Sequence, residues 1–215
     1  MKRASAHFVG FPKDGFVFFR ELKRHNNRDW FQANRERYEA SCREPVKQLI
    51  EALGDDPKEA HITRINRDLR FSRDKSPYRT YIAAGVRRSY IHLSADGLYV
   101  GAGFYKGDPK TLDRFRDAIA DKTIGGQLAK IVASLRRKGF TVETHERLAR
   151  VPRGYPPDHP RAELLKMKDI FAGKSFKPAP WMSTPALGRR LETIMKDTLP
   201  LRDWVKRHVR PHSDK

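Results

Sequence analysis

Cysteine is almost missing from this chain of 215 residues, with Cys42 the only example. One thiol excludes an intramolecular disulfide framework and a multi-cysteine zinc site. It also makes a reducing cytoplasm the simplest compartment. Long apolar runs are missing too. The longest uncharged stretch in mid-chain, residues 97–105, falls far short of the roughly 20 apolar residues a spanning helix needs. Residues 4–11 are too short and mixed for a secretory leader, so no membrane contact is expected. Familiar chemical fingerprints are absent as well. Gly101-Ala102-Gly103 lacks the third glycine and the helix start of a dinucleotide loop, and there is no P-loop. No GxSxG nucleophile elbow occurs. The 8 histidines show no zinc spacing, because Pro211 interrupts the pair His208 and His212. No metal and no cofactor is expected. Acids are scarce: 26 Asp plus Glu face 45 Lys plus Arg, a formal charge of +19.

What is present is enough for a core. Hydrophobic residues make up 38% and aromatics 10%, too much for a disordered chain. A compact domain of this size buries about 70% of its unfolded surface and needs no staple. The first quarter reads as helices. Asp14 can cap a turn carrying Phe16, Phe19 and Leu22 on one stripe. Asn26 and Asn27 offer caps for a second helix over 28–41, with Asp29 in its first turn. Pro45 opens a third, with Val46, Leu49, Ile50 and Leu53 at helical spacing before Gly54.

The period then changes. Residues 62–65 and 81–86 read as extended. Ile91 and Leu93 alternate before Asp96-Gly97, and Leu98, Val100, Ala102 and Phe104 alternate after it, a hairpin signature. Gly101 and Gly103 share the opposite face with Tyr99 and Tyr105, which would leave a shallow groove or let another backbone approach closely. Helices return at Asp108-Pro109 and at Leu128 to Leu135. A short strand is expected over 140–144, a short helix after Pro160, and two helices around 187–195 and 201–205. The expectation is a single α+β domain over 11–210, with a central mostly antiparallel sheet flanked by N- and C-terminal helices. Residues 1–10 and 211–215 are expected as flexible ends. A purely helical lobe after Asp108 is the alternative.

The positive charge concentrates in residues 64–88. Arg64, Arg67, Arg70, Arg73, Lys75, Arg79, Arg87 and Arg88 face only Asp68 and Asp74 there. Pro77 biases Ser76 toward an extended conformation, so the stretch reads as an irregular loop able to fold several guanidinium groups toward one point. Arginine's planar fork matches phosphate or carboxylate oxygens two at a time, and Ser72, Ser76, Tyr78 and Thr80 add neutral donors. Two readings follow: an anion site, or an ion-pair network in which Asp68 and Asp74 bridge arginines to fix the loop. A second basic patch, Arg147, Arg150 and Arg153, precedes Asp158-His159-Pro160. His159 is read as a cap for the helix after it, or as a general base were it given a partner and substrate. Asn34, between Trp30 and Tyr38, is either a hydrogen-bonding hub tying its helix to the central loop or a pocket donor. Cys42 reads as a half-buried structural thiol.

Several stretches taken together resemble a known family. They are residues 26–31 (NNRDWF) with Asn34 and Tyr38, residues 67–80 (RDLRFSRDKSPYRT), residues 152–155 (PRGY), and Asp158-His159-Pro160. This set is similar to the widespread bacterial family catalogued as domain of unknown function 2461, over about residues 11–209. The resemblance implies one domain of mixed helix and sheet and no established activity, cofactor or catalytic residue. At Lys106-Gly107 this chain departs from the proline-containing turn expected of relatives.

Three functions compete. The first is a pocket for a small anionic, phosphate- or carboxylate-bearing ligand, and the protein would be an enzyme if it also acted on that ligand. Its lining would be Arg67, Arg70, Arg73, Lys75, Ser76, Tyr78 and Arg79, with Arg153 and His159, and Asn34, Asp68 and Asp74 would form a supporting network. The second is a nonspecific nucleic-acid-binding module. It would use basic helix faces at Arg136, Arg137 and Lys138, at Arg189 and Arg190, and at Lys206, Arg207 and Arg210. No nucleic-acid-binding motif is visible, and charge runs on helices are usually solvated faces. The third is a scaffold protein whose signature loop is structural.

Overall fold

The computed structural model describes residues 8–70, 72–105 and 107–210. Phe71, Lys106, His212 and the rest of the two expected flexible ends, residues 1–7 and 211–215, lie outside the described residues. Five strands form one antiparallel sheet among helices, an α+β protein. The strands are β1 (Tyr81–Val86), β2 (Ser89–Ser94), β3 (Gly97–Phe104), β4 (Thr141–Glu143) and β5 (Ile170–Phe176), in the order β1-β2-β3-β5-β4. The chain divides into two compact units. One holds residues up to Val100 with Ser175–Ile194; the other holds Gly101–Lys174 and the chain from Met195 on.

In the first unit, α1 (Lys13–Arg24) lies against β2 and buries Phe16, Phe18, Phe19 and Leu22. Asp14 does not cap it. Its carboxylate is drawn instead to Arg37 at 2.6 Å and accepts from the Ser41 hydroxyl at 2.8 Å. Charge-assisted contacts of that kind outcompete a single cap bond. The second helix is broken into α2 (Arg28–Ala33) and α3 (Arg35–Tyr38). A π-helical turn (Glu39–Arg43) then runs into α4 (Glu44–Ala52). Cys42 is fully buried there rather than half-buried, and burial pushes its thiol pKa up. Phe8 to Gly10 also belong to the packed unit: Phe8 is buried with its ring edge-on to Phe11 at 5.6 Å.

The sheet follows the alternation closely. β1 and β2 pair Ile82 with Leu93 and Ala84 with Ile91 on the core face. Gly97 enters β3 with φ +121°, the left-handed geometry a hairpin turn needs. Residues 62–65 form only an isolated bridge to β1, at Ile62 and Ala84.

In the second unit, α5 (Pro109–Ala120) is capped by Asp108, whose carboxylate accepts from the Thr111 N–H at 3.0 Å. Then come α6 (Lys122–Arg137), which packs on β4, and the short α7 (Ala162–Leu165). The strands β4 and β5 rule out a purely helical lobe after Asp108. A Cβ on Gly103 would lie 2.1 Å from the Ile170 carbonyl, so β5 makes the close backbone approach that glycine allows. The last two expected helices are one, α8 (Ala186–His208), with Pro200 inside it. A proline removes one backbone donor, and helical structure continues past it when the flanking turns are packed, as Leu191, Leu201 and Trp204 are here.

Candidate functional site

The signature loop is a closed excursion from the sheet. The Arg67 N–H donates to the Pro77 carbonyl at 2.9 Å and the Arg79 N–H to that of Ile65 at 2.7 Å, so the base of the loop is laddered. Asp74 organises its tip. Its carboxylate accepts from the Ser76 hydroxyl at 2.6 Å and the Ser76 N–H at 2.9 Å, and it pairs with Arg67. These donors, the Ser76 hydroxyl foremost, hold the Asp74 carboxyl below the usual carboxylate range. Arg67 also donates to the Ser72 hydroxyl at 3.1 Å. Arg70 pairs with Asp68 at 2.6 Å. The Lys75 ammonium reaches the Leu69 carbonyl at 3.3 Å. Arg73 is exposed and has no side-chain partner among the described residues.

The tie between helix and loop is made by Asn26, not Asn34. Asn26 donates from Nδ2 to the Tyr78 carbonyl at 2.9 Å and accepts from the Tyr78 N–H at 3.0 Å. Asn34 turns back on its own helix, donating to the Trp30 carbonyl at 2.9 Å. The cap of α2 falls to Asn27, which accepts from the Trp30 N–H. Tyr78, expected among the ligand contacts, is buried instead, its ring stacked on Phe31 at 4.1 Å. A shallow hollow lined by Arg35, Glu36, Glu39, Ala40 and Glu44 includes none of the signature residues.

Arg79 leads out of the loop onto the outer face of the sheet. Its guanidinium donates to the Tyr81 hydroxyl at 2.9 Å and lies 5.7 Å from the Tyr81 ring centre. Its Nε is buried with no hydrogen-bond partner among the described residues. Register then builds a ring cluster. Ala83 pairs with His92 and Gly85 with Tyr90, which sets Tyr81, His92 and Tyr90 on one face, opposite the core face of Ile82, Ile91 and Leu93. Tyr81 and His92 are 4.4 Å apart, Tyr90 and His92 6.2 Å, and Tyr90 and Tyr99 6.3 Å. A Cβ on Gly85 would meet nothing, so the space opposite Tyr90 is open. Tyr90 is 42% exposed. Partial burial, with Tyr81 and Tyr99 beside it, holds its phenol above the usual range. Burial likewise lowers the His92 pKa.

The second unit carries the remaining expected residues. Arg153 is exposed, without a partner among the described residues. His159 is half-buried, and its Nδ1 accepts from the Arg161 N–H at 3.0 Å just before α7. That bond places the proton of the neutral ring on Nε2. Arg147 pairs with Glu163 at 2.9 Å. Arg161, not singled out by sequence, donates to the carbonyls of Ile119, Ala120 and Asp121 and closes the end of α5. A second unexpected pair is His145 with the buried Asp169. Asp169 accepts from the Thr144 hydroxyl at 2.7 Å and the His145 N–H at 2.8 Å, and its other oxygen lies 3.3 Å from His145 Nδ1. Phe171 and Tyr105 flank that imidazole edge-on at 4.2 and 4.5 Å.

The basic helix faces divide similarly. Lys138 pairs with Asp197 at 2.5 Å, the Arg190 guanidinium lies 4.4 Å over Trp181, and Arg210 donates to the Tyr105 carbonyl. Arg136, Arg137, Arg189, Lys206 and Arg207 have no side-chain partner among the described residues. Among those residues, no group of three His, Cys, Asp or Glu is placed to hold a metal ion. No helix there is long and apolar enough to cross a membrane.

Five antiparallel strands among helices make this an α+β protein. The chain belongs to the family described as conserved hypothetical protein (DUF2461), whose model matches residues 14–204. No curated protein and no solved structure matches it.

Proposed function

We propose that this protein binds single-stranded nucleic acid, stacking bases on the outer face of β1, β2 and β3 and holding phosphates with the basic groups of residues 64–88 that no described acid neutralises. The carrying observation is the cluster of Tyr81, Tyr90, His92 and Tyr99 on a sheet face beside Arg79. On this face Tyr90 is exposed and Tyr81, His92 and Tyr99 are half-buried, so ring surface is open to a ligand. Every base offers a π-face, so such a platform accepts any sequence. The formal charge of +19 supplies the long-range attraction. Arg67 and Arg70 are taken up by Asp74 and Asp68, so the phosphate contacts fall to Arg73, Lys75 and Arg79 in the loop.

A second reading keeps the same residues and shortens the ligand. The Arg79 guanidinium, set beside the Tyr81 ring with no acid partner among the described residues, suits one anionic group of a mononucleotide or similar small molecule.

Fluorescence anisotropy with labelled oligothymidylate and oligouridylate tests both. We expect binding at low salt that weakens with ionic strength by about 0.7 in log K per log salt for each phosphate held. Tyr90→Ala should weaken it by about 1–3 kcal/mol, the worth of one stacked base. No binding at low salt, or unchanged affinity in both Tyr90→Ala and Tyr99→Ala with native circular dichroism, overturns the proposal. Mononucleotides that compete as well as the oligomer establish the shorter ligand.

A further inference from the structure

The hairpin between β1 and β2 has an uncommon tip. Val86 pairs with Ser89, leaving Arg87 and Arg88 as a two-residue loop. Their φ angles are +46° and +60°, both in the left-handed region. A two-residue hairpin whose twist matches its strands needs positive φ at both positions, and Asn-Gly or Gly-Gly meets that need with little strain. A long side chain does not, because its Cβ crowds the following carbonyl. Arg87 and Arg88 are the only described non-glycine residues in this conformation.

Nothing within the described protein uses the two side chains. Both are exposed, and neither guanidinium has an acid, carbonyl or ring partner. Asp55 accepts the Arg87 backbone N–H at 2.6 Å. That bond fixes the turn, and any residue with an N–H could make it. Strain of this sort persists at sites where the side chain serves something outside the fold. Two positions along β2 from the tip is Tyr90, with open space opposite it at Gly85.

We infer that Arg87 and Arg88 form a phosphate grip for a strand whose base stacks on Tyr90, an inference that rests on the nucleic-acid reading above. The tip trades turn stability for two cations at the edge of the ring cluster. Arginine suits this role because its planar fork can engage two phosphate oxygens and still stack on a neighbouring base.

The test is the double variant Arg87→Asn with Arg88→Gly in the full chain, assayed against oligothymidylate. The melting temperature should rise, because the new pair accepts the turn geometry and keeps the N–H that Asp55 holds. The salt slope should fall by about 1.4, two contacts at about 0.7 each, with weaker binding at low salt. Arg87→Lys with Arg88→Lys should retain the slope. If wild type binds and Tyr90→Ala weakens it, yet the double variant matches wild type in affinity and slope, the grip is refuted and the platform stands. If wild type does not bind, both fall. A lower melting temperature in the double variant removes the strain premise and the inference with it.

Discussion

Arginines in two neighbouring regions are treated in opposite ways. In the signature loop, Arg67 and Arg70 each face an aspartate, and the Asp74 that holds Arg67 is itself fastened by Ser76. At the hairpin tip, the Arg87 and Arg88 side chains face no acid among the described residues and occupy backbone geometry that does not favour them. The loop uses its charge to set its own shape, since a chain with little regular structure needs local bonds to fix it. The hairpin already has a ladder to fix it, so its charge is free for another molecule. Density of arginine therefore does not locate a ligand; exposed arginine held in backbone geometry that does not favour it points to one.

The largest expected effect falls at Tyr78, a loop residue given over wholly to packing. Its ring is stacked on Phe31 and its backbone is clamped by Asn26, so Tyr78→Ala should lose about 3–5 kcal/mol, the range for a large aromatic removed from a core. Urea unfolding measures this, and oligonucleotide affinity below the transition should be preserved. Wild-type stability together with lost binding would move Tyr78 to the ligand side. A smaller effect separates two loop arginines. Arg67→Ala should destabilise by about 1 kcal/mol through its lost bonds to Ser72 and the Ser76 carbonyl, with the salt slope unchanged. Arg73→Ala should leave stability within about 0.5 kcal/mol and reduce the slope by about 0.7. If both residues affect the slope equally, the distinction between neutralised and free arginine is lost.

The sequence made some of this legible because the signals are local. Ile91 and Leu93 alternate with Tyr90 and His92, so the strand and its two faces can be read directly. Asp68 and Asp74 lie two and seven positions from the arginines they bind, within the span of one loop. β5 leaves no such signal. Ile170 and Ala172 are buried on one face and Gly173 on the other in a strand that lies between β3 and β4, and the small Ala172 and Gly173 blur the alternation that would mark it. Pro200 marks a break that packing overrides. The clamp from Asn26 to Tyr78 spans 52 positions and the pair His145 and Asp169 spans 24, distances over which no spacing rule operates. The ring cluster lies in between: each tyrosine can be placed on a strand face, but that Tyr81 meets His92 depends on register.

His92 gives the smallest effect and reports where the phosphates go. Its ring lies among Tyr81 and Tyr90, and burial holds its pKa below the ordinary 6.5, a shift that Asp96 partly opposes. The unfolded chain therefore binds this proton more readily than the folded one. Stability is unaffected above about pH 6.5 and declines as pH falls from there toward the folded pKa. His208 is shifted in the same direction, by burial and by Arg207, so the difference between wild type and His92→Gln isolates the contribution of His92. A phosphate held close to the ring would favour the imidazolium and raise the His92 pKa in the complex. A base stacked on it, with phosphates at Arg87 and Arg88, would desolvate the ring and lower the pKa further. Proton NMR titration of His92 with and without oligothymidylate reads the sign. The expected result is a decrease. An increase would move the phosphate path from the hairpin tip to the centre of the sheet face.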